Sequence, residues 1–241
     1  MFPGKPLALK ESLRYHVAAG HMLRVRRGLY ATVPRGLSPV AATPDVFLLA
    51  SKMTEDAVLS FHTALEFHGR AYSTSQDVTV WSAAPARAFE FREQRFRAVV
   101  PAGAAARQRM RVGVQQAERQ GLDLQVTTLE RTLVDVLDRP DLAGGWEEVW
   151  RSLETVEFFD LDQVVSHVRL LGNATTAARV GFYLEQHAQL LQVGEVHLRA
   201  LRRLRPAQPR YMDGSRGGKW VAAWNLVVPE AVFDRSWEEP A

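Results

Sequence analysis

The sequence predicts an α+β protein: a short basic helix-and-hairpin element at the N-terminus, then a mixed α/β region whose C-terminal part is rich in helices. Three observations carry this. Apolar spacing changes from period four to period two within the first 32 residues, prolines and a glycine interrupt residues 33–44, and strand-like segments before residue 127 give way to successive helical stripes after it.

Residues 7–19 place Leu9, Leu13 and Val17 at intervals of four, with Lys10, Arg14 and His16 elsewhere on the cylinder and Gly20 as the stop. This is a short amphipathic helix with a basic exposed side. His21 to Thr32 reads as two short strands turning at Arg27-Gly28, with Leu23 and Val25 on one face and Arg24 and Arg26 on the other. A basic helix followed directly by a basic hairpin is the closing half of a winged helix. Pro34, Gly36, Pro39 and Pro44 make residues 33–44 the linker, which divides the chain into a DNA-binding element at 1–36 and a second domain at 37–241. In that domain residues 45–53 and 57–68 read as helices, the second stopped by Gly69. Residues 78–81, 94–100, 112–116 and 122–126 read as strands. Thr127 to Glu130 has capping-box spacing and opens a helix with the stripe Leu129, Leu133, Val136 and Leu137. Helices follow at about 145–156, 160–171, 174–191 and 194–205, and residues 220–228 close the chain as one strand before Pro229. There is no internal repeat and no low-complexity tract.

With 46% hydrophobic and 24% charged residues the chain can build a substantial core. The absence of cysteine removes disulfides, thiolate zinc sites and cysteine nucleophiles together, and fits a reducing compartment. No basic flank leads into an apolar stretch at the N-terminus, and no apolar run approaches the roughly 20 residues of a membrane helix, so a cytoplasmic protein is expected. The net charge of +3 conceals a pattern. Residues 1–40 hold seven basic side chains against Glu11 alone, residues 41–195 carry a net −6, and residues 196–219 hold seven basic side chains against Asp213 alone. Two basic stretches around an acidic middle point to a polyanion bound by the ends of the chain. Only four of the 30 basic residues are lysine, so arginine clustering carries weight here and arginine abundance does not.

For the first stretch the candidate DNA contacts are Lys10, Arg14, Tyr15 and His16 on the helix and Arg24, Arg26 and Arg27 on the hairpin. Cations near phosphate would fix register, and side chains such as Arg14 or Tyr15 would read base edges from the major groove. The second stretch places Arg199, Arg202, Arg203, Arg205 and Arg210 on or after one helix end, with Arg216 and Lys219 soon following. Ordinary helix-dipole and solubility roles compete there with a second nucleic-acid surface. Nothing assembles a catalytic, metal or cofactor site. His62 and His68 are six apart and fall on opposite sides of a helix, and no His-Glu-x-x-His occurs. Residues 214–220 miss a P-loop, since its first glycine would be Asp213 and its hydroxyl position is Trp220. Asp135, Asp138, Glu147 and Glu148 read as surface carboxylates or as partners of arginines such as Arg131, and Glu130 as a helix cap.

Several stretches resemble the AbiEi family, the antitoxin half of type IV toxin–antitoxin systems. They are Leu23-Arg24-Val25-Arg26-Arg27-Gly28-Leu29-Tyr30, Leu59 to Gly69, Glu130 to Leu137, Gly144-Gly145-Trp146-Glu147-Glu148, Arg179 to Glu185, and Trp224-Asn225-Leu226-Val227-Val228-Pro229. They occur in the family's order and span nearly the whole chain. The resemblance implies a winged helix joined to an α/β antitoxin domain, promoter DNA as the principal partner, repression of a bicistronic operon, and a nucleotidyltransferase toxin countered without a stable complex. Self-association on DNA is compatible with it. A complete winged helix has two helices before the recognition helix, whereas about six residues precede it here, so the element is expected to be truncated, by a start placed too late or by loss of those helices. A stand-alone regulator without a toxin and an orphan nucleic-acid enzyme are the rival readings.

Overall fold

The computed structural model describes residues 6–102, 104–214 and 217–237. Helix α1 (Pro6–Ala18) leads through Gly20, at φ +73°, into the hairpin β1 (Met22–Arg26) and β2 (Leu29–Thr32). The hairpin is not regular. Met22, Leu23 and Arg24 pair with Thr32, Ala31 and Tyr30, but Arg26 pairs with Leu29, which leaves Val25 as a bulge. Cross-strand partners share a face, so the extra residue puts Arg26 on the side of Leu23, Leu29 and Ala31 rather than on the side of Arg24. The expected common face for Arg24 and Arg26 is therefore corrected.

Helix α2 (Val46–Ser51) begins where the Asp45 side chain accepts hydrogen bonds from the backbone N–H groups of Phe47 and Leu48, both at 3.0 Å. The expected helix at 57–68 is in fact strand β3 (Val58–Leu59), a sharp turn, and α3 (His62–Phe67). Tertiary pairing decides this: Val58 and Leu59 lie between β4 (Asp77–Trp81) and a later strand, in the middle of a sheet. The turn is made by Phe61 at φ +54°, a left-handed position held by full burial of its ring.

The sheet continues with β5 (Phe89–Phe91) and β6 (Gln94–Val99), then helix α4 (Ala104–Arg109), β7 (Val114–Arg119) and β8 (Leu122–Thr127). Its strand order is β5-β6-β4-β3-β8-β7, with β6–β4 and β3–β8 parallel and the other pairs antiparallel. Leu59, Val78, Val80, Phe96, Leu124 and Val126 pack with Leu49, Ala50 and Met53 around α2 and with Val25 of the hairpin, and Leu29 and Ala31 close over this core. Residues 33–44 do not separate the hairpin from the body: the Arg92 guanidinium donates to the carbonyls of Pro39, Val40 and Ala42 and pins the segment to the β5–β6 turn.

A second core lies among the helices α5 (Leu129–Asp138), α6 (Trp146–Glu154), α7 (Leu161–Leu171), α8 (Ala174–Gln186) and α9 (Glu195–Arg202). The cap of α5 is Thr128, whose hydroxyl accepts from the Arg131 N–H at 3.3 Å. Glu130 instead accepts from the Asp160 N–H at 3.2 Å, so the expected capping box of Thr127 and Glu130 does not form: the cap lies one residue later and the Glu130 carboxylate serves the start of α7. The expected strand at 220–228 folds back on itself. After β9 (Arg210–Tyr211), strand β10 (Lys219–Val221) pairs antiparallel with β11 (Leu226–Val228), and the turn between them uses Asn225 at φ +47°. β11 also pairs in parallel with β9, which gives a three-stranded sheet in the order β10-β11-β9, and α10 (Glu230–Asp234) follows. The turn drives Trp224 into the helical core against Gly181, where a Cβ would lie 2.1 Å from the indole.

Candidate nucleic-acid interface

Helix α1 packs against β1 of the hairpin. Leu13, His16 and Val17 are half-buried, and Leu9 and Tyr15 are 62% and 65% exposed. Lys10 and Arg14, one turn apart, are exposed beside the half-buried edge, and Arg24, Arg27 and Arg35 are exposed on the hairpin and the segment after it. Among the described residues none of these five side chains makes a hydrogen bond or an ion pair. Five unpaired cations and an exposed tyrosine on one slender element are what a phosphate backbone requires. Arg35 belongs to this set although its only signal in the sequence is its share of the charge.

Two of the candidate residues are otherwise engaged. The Arg26 guanidinium donates to the Met53 carbonyl at 2.5 Å and lies 4.9 Å from the centre of the Phe89 ring, so it fastens the hairpin to α2 and β5. His16 is half-buried, with Nδ1 3.4 Å from Nδ1 of the exposed His21 and its ring edge-on to Tyr15.

The second basic stretch divides in the same way. Arg199, Arg203 and Arg210 are exposed and have no side-chain partner among the described residues. Arg202 is paired with Glu185 at 2.9 Å and Glu195 at 2.7 Å and lies over Trp224, while Arg205 donates to the Ala223 carbonyl. Arg216 lies outside the described residues, and Lys219 is paired with Asp234 at 2.6 Å.

The buried polar groups form struts between elements. His62 Nε2 is 3.0 Å from Glu148, which also accepts from the Ser73 backbone and hydroxyl and from Ser152, joining α3 to α6. Burial raises the Glu148 carboxyl, but these hydrogen bonds outweigh it and hold the group below the usual carboxylate range. Arg131 pairs with Asp135 at 2.9 Å and donates to the carbonyls of Arg109 and Val112, and Asp135 also accepts from the Trp81 indole at 3.1 Å. Asp135 and Glu148 are thus interior partners rather than surface carboxylates, whereas Glu147 pairs with Arg151 at 3.0 Å near the surface. His68 donates to the Thr127 carbonyl, and burial depresses it as it does His167. Among the described residues no three His, Asp or Glu are placed to share a metal ion, and no helix is long and apolar enough to cross a membrane.

Comparison with known proteins places this architecture. The family described as AbiEi antitoxin C-terminal domain matches residues 56–186, from the sheet core through α8. No curated protein sequence matches the chain. The crystal structure of the RV2827C protein from Mycobacterium tuberculosis is similar in fold, with a TM-score of 0.64 at 18% identity over 93% of this chain and 80% of that one.

Proposed function

Because this chain belongs to the AbiEi antitoxin family, we propose that it is an operator-binding antitoxin that grips duplex DNA with its N-terminal helix and hairpin and represses its own operon. An antitoxin implies a toxin partner, and here that partner is a nucleotidyltransferase countered without a stable complex. The observation that carries the DNA contact is the set Lys10, Arg14, Arg24, Arg27 and Arg35, exposed and unpaired on the N-terminal helix, the hairpin and the segment after it. The protein acts by binding rather than catalysis, and the interior carboxylates support that reading because each is held in a structural strut.

The test is co-expression with a cognate toxin beside a promoter reporter. Arg14→Ala with Arg24→Ala should release the reporter and leave growth rescue largely intact. Charge reversal of Arg199 and Arg203 should weaken rescue more than repression; Arg202 is spared because its ion pairs would confound the result. Unaltered repression by a folded Arg14/Arg24 variant would remove the operator contact from this element, and failure of the wild-type chain to rescue growth would remove the antitoxin reading.

A further inference from the structure

The small C-terminal sheet presents an outward face that the packing of the chain leaves unused. Along β11, Leu226 and Val228 are buried and Val227 points out, and at the end of β9 Tyr211 is exposed while Met212, the next residue, is buried. The register places Trp220 opposite Val227 on one side and Tyr211 opposite it on the other, so the three side chains form one row across the sheet. Tyr211 is 50% exposed and Trp220 61% exposed. With strands spaced about 4.8 Å apart, the two rings stand roughly 10 Å from each other, far enough for each to carry a separate flat ligand.

The surroundings are cationic. The segment after α9 is tied to the turn between β10 and β11, since Asn225 donates to the Pro206 carbonyl at 2.8 Å and Arg205 to that of Ala223. Arg203 opens the segment that makes these contacts and Arg199 is one helical turn before it, whereas Arg210, in register with the buried Leu226, projects from the other face of the sheet. The carboxylates at this end are engaged: Glu185 and Glu195 by Arg202, Asp234 by Lys219, and Asp213 by the Trp146 indole, which leaves Glu230 exposed.

We propose that this face binds single-stranded RNA, with unpaired bases stacked on Tyr211 and Trp220 and phosphates held by Arg199 and Arg203. Aromatic rings on a sheet with flanking arginines suit unpaired bases, and RNA loops and ends are the usual source of such bases. A duplex, whose bases are stacked internally, offers nothing to the two rings. The proposal deepens the reading of the second basic stretch as a nucleic-acid surface, and it stands or falls separately from the operator contact.

The experiment is fluorescence anisotropy of the full chain with labelled rU12, rA12, dT12 and a 20-base-pair duplex. The expected result is binding of both RNA oligomers more tightly than dT12, weakened roughly 5- to 150-fold by Trp220→Ala or Tyr211→Ala and largely kept by Trp220→Phe. Both residues are exposed, so thermal unfolding should be unchanged. Arg199→Ala with Arg203→Ala should lower the salt dependence, and Arg14→Ala with Arg24→Ala should weaken duplex binding without touching RNA binding. No RNA binding up to about 100 µM, equal affinity for dT12, indifference to Trp220→Ala, or loss of RNA binding in the Arg14/Arg24 variant would each overturn the proposal. So would a solution dimer that Trp220→Ala dissociates, since the row would then be a contact between two copies.

Discussion

The bulge at Val25 gives two neighbouring arginines opposite duties, and single substitutions separate them. Arg26→Ala removes a charged hydrogen bond to the Met53 carbonyl, worth about 1.5–3 kcal/mol, and a guanidinium–ring contact with Phe89 worth about 0.5–1 kcal/mol. Part of this returns because the Arg26 Nε, buried without a partner, is removed with the side chain. A net loss of about 2 kcal/mol lowers Tm by roughly 4–8 °C in a protein of this size. Arg24→Ala breaks no internal contact, so its Tm should stay within about 1–2 °C of wild type, while a lost phosphate contact reduces the salt slope of DNA binding by about 0.9. Calorimetry and anisotropy titrations on both variants read these quantities. A stable Arg26→Ala with weakened DNA binding, or an unstable Arg24→Ala, would show that the bulge does not orient the hairpin as described.

Other outcomes follow from the packing. Removing residues 1–36 uncovers Leu49, Met53 and Phe96 by taking away Val25, Leu29 and Ala31; the loss of about 3–4 kcal/mol of apolar burial should lower Tm by about 10 °C, and an unchanged Tm would mean that the hairpin is not part of that core. Gly181→Ala forces a methyl to within 2.1 Å of the Trp224 ring, so at least about 1–3 kcal/mol should be lost, and a urea midpoint equal to wild type would refute the close approach. Burial depresses His68 and His167 below the ordinary histidine value, so the unfolded chain takes up protons more readily than the folded one. Stability should be full above about pH 6.5 and fall as pH drops below it, and a flat urea midpoint from pH 7.5 to 5.5 would contradict this.

The helical half was legible because its signals are local. Asp160 and Asn173 cap α7 and α8, Gly172 ends α7 at φ +69°, and the stripe Leu133, Val136 and Leu137 is buried as its spacing requires. Non-local facts hid the rest. Ala57 to Phe61, apolar but for Ser60, suits helix or buried strand, and only pairing with β4 and β8 makes two of its residues a strand. Asn225 and Phe61 turn the chain at positive φ without glycine, so neither break is marked. The bulge has no compositional trace either, which is why strict alternation gave Arg26 the wrong face. The basic stretches were visible as charge, but which arginines are taken up by Glu185, Met53 or Ala223 depends on residues at least 17 positions away in the chain. Tyr211 and Trp220 each alternate with neighbours in the period of a strand, yet nothing in the sequence places them in one row.

The most direct test of the operator contact is the salt dependence of binding to duplex DNA carrying the chain's own promoter. Five exposed cations on α1, the hairpin and the following segment predict a slope of log K against log salt of about −4 to −5 in anisotropy titrations. Arg14→Ala with Arg24→Ala should reduce its size by about 1.8. A slope near zero, or one that the double variant leaves unchanged, would contradict the assignment of DNA binding to this element.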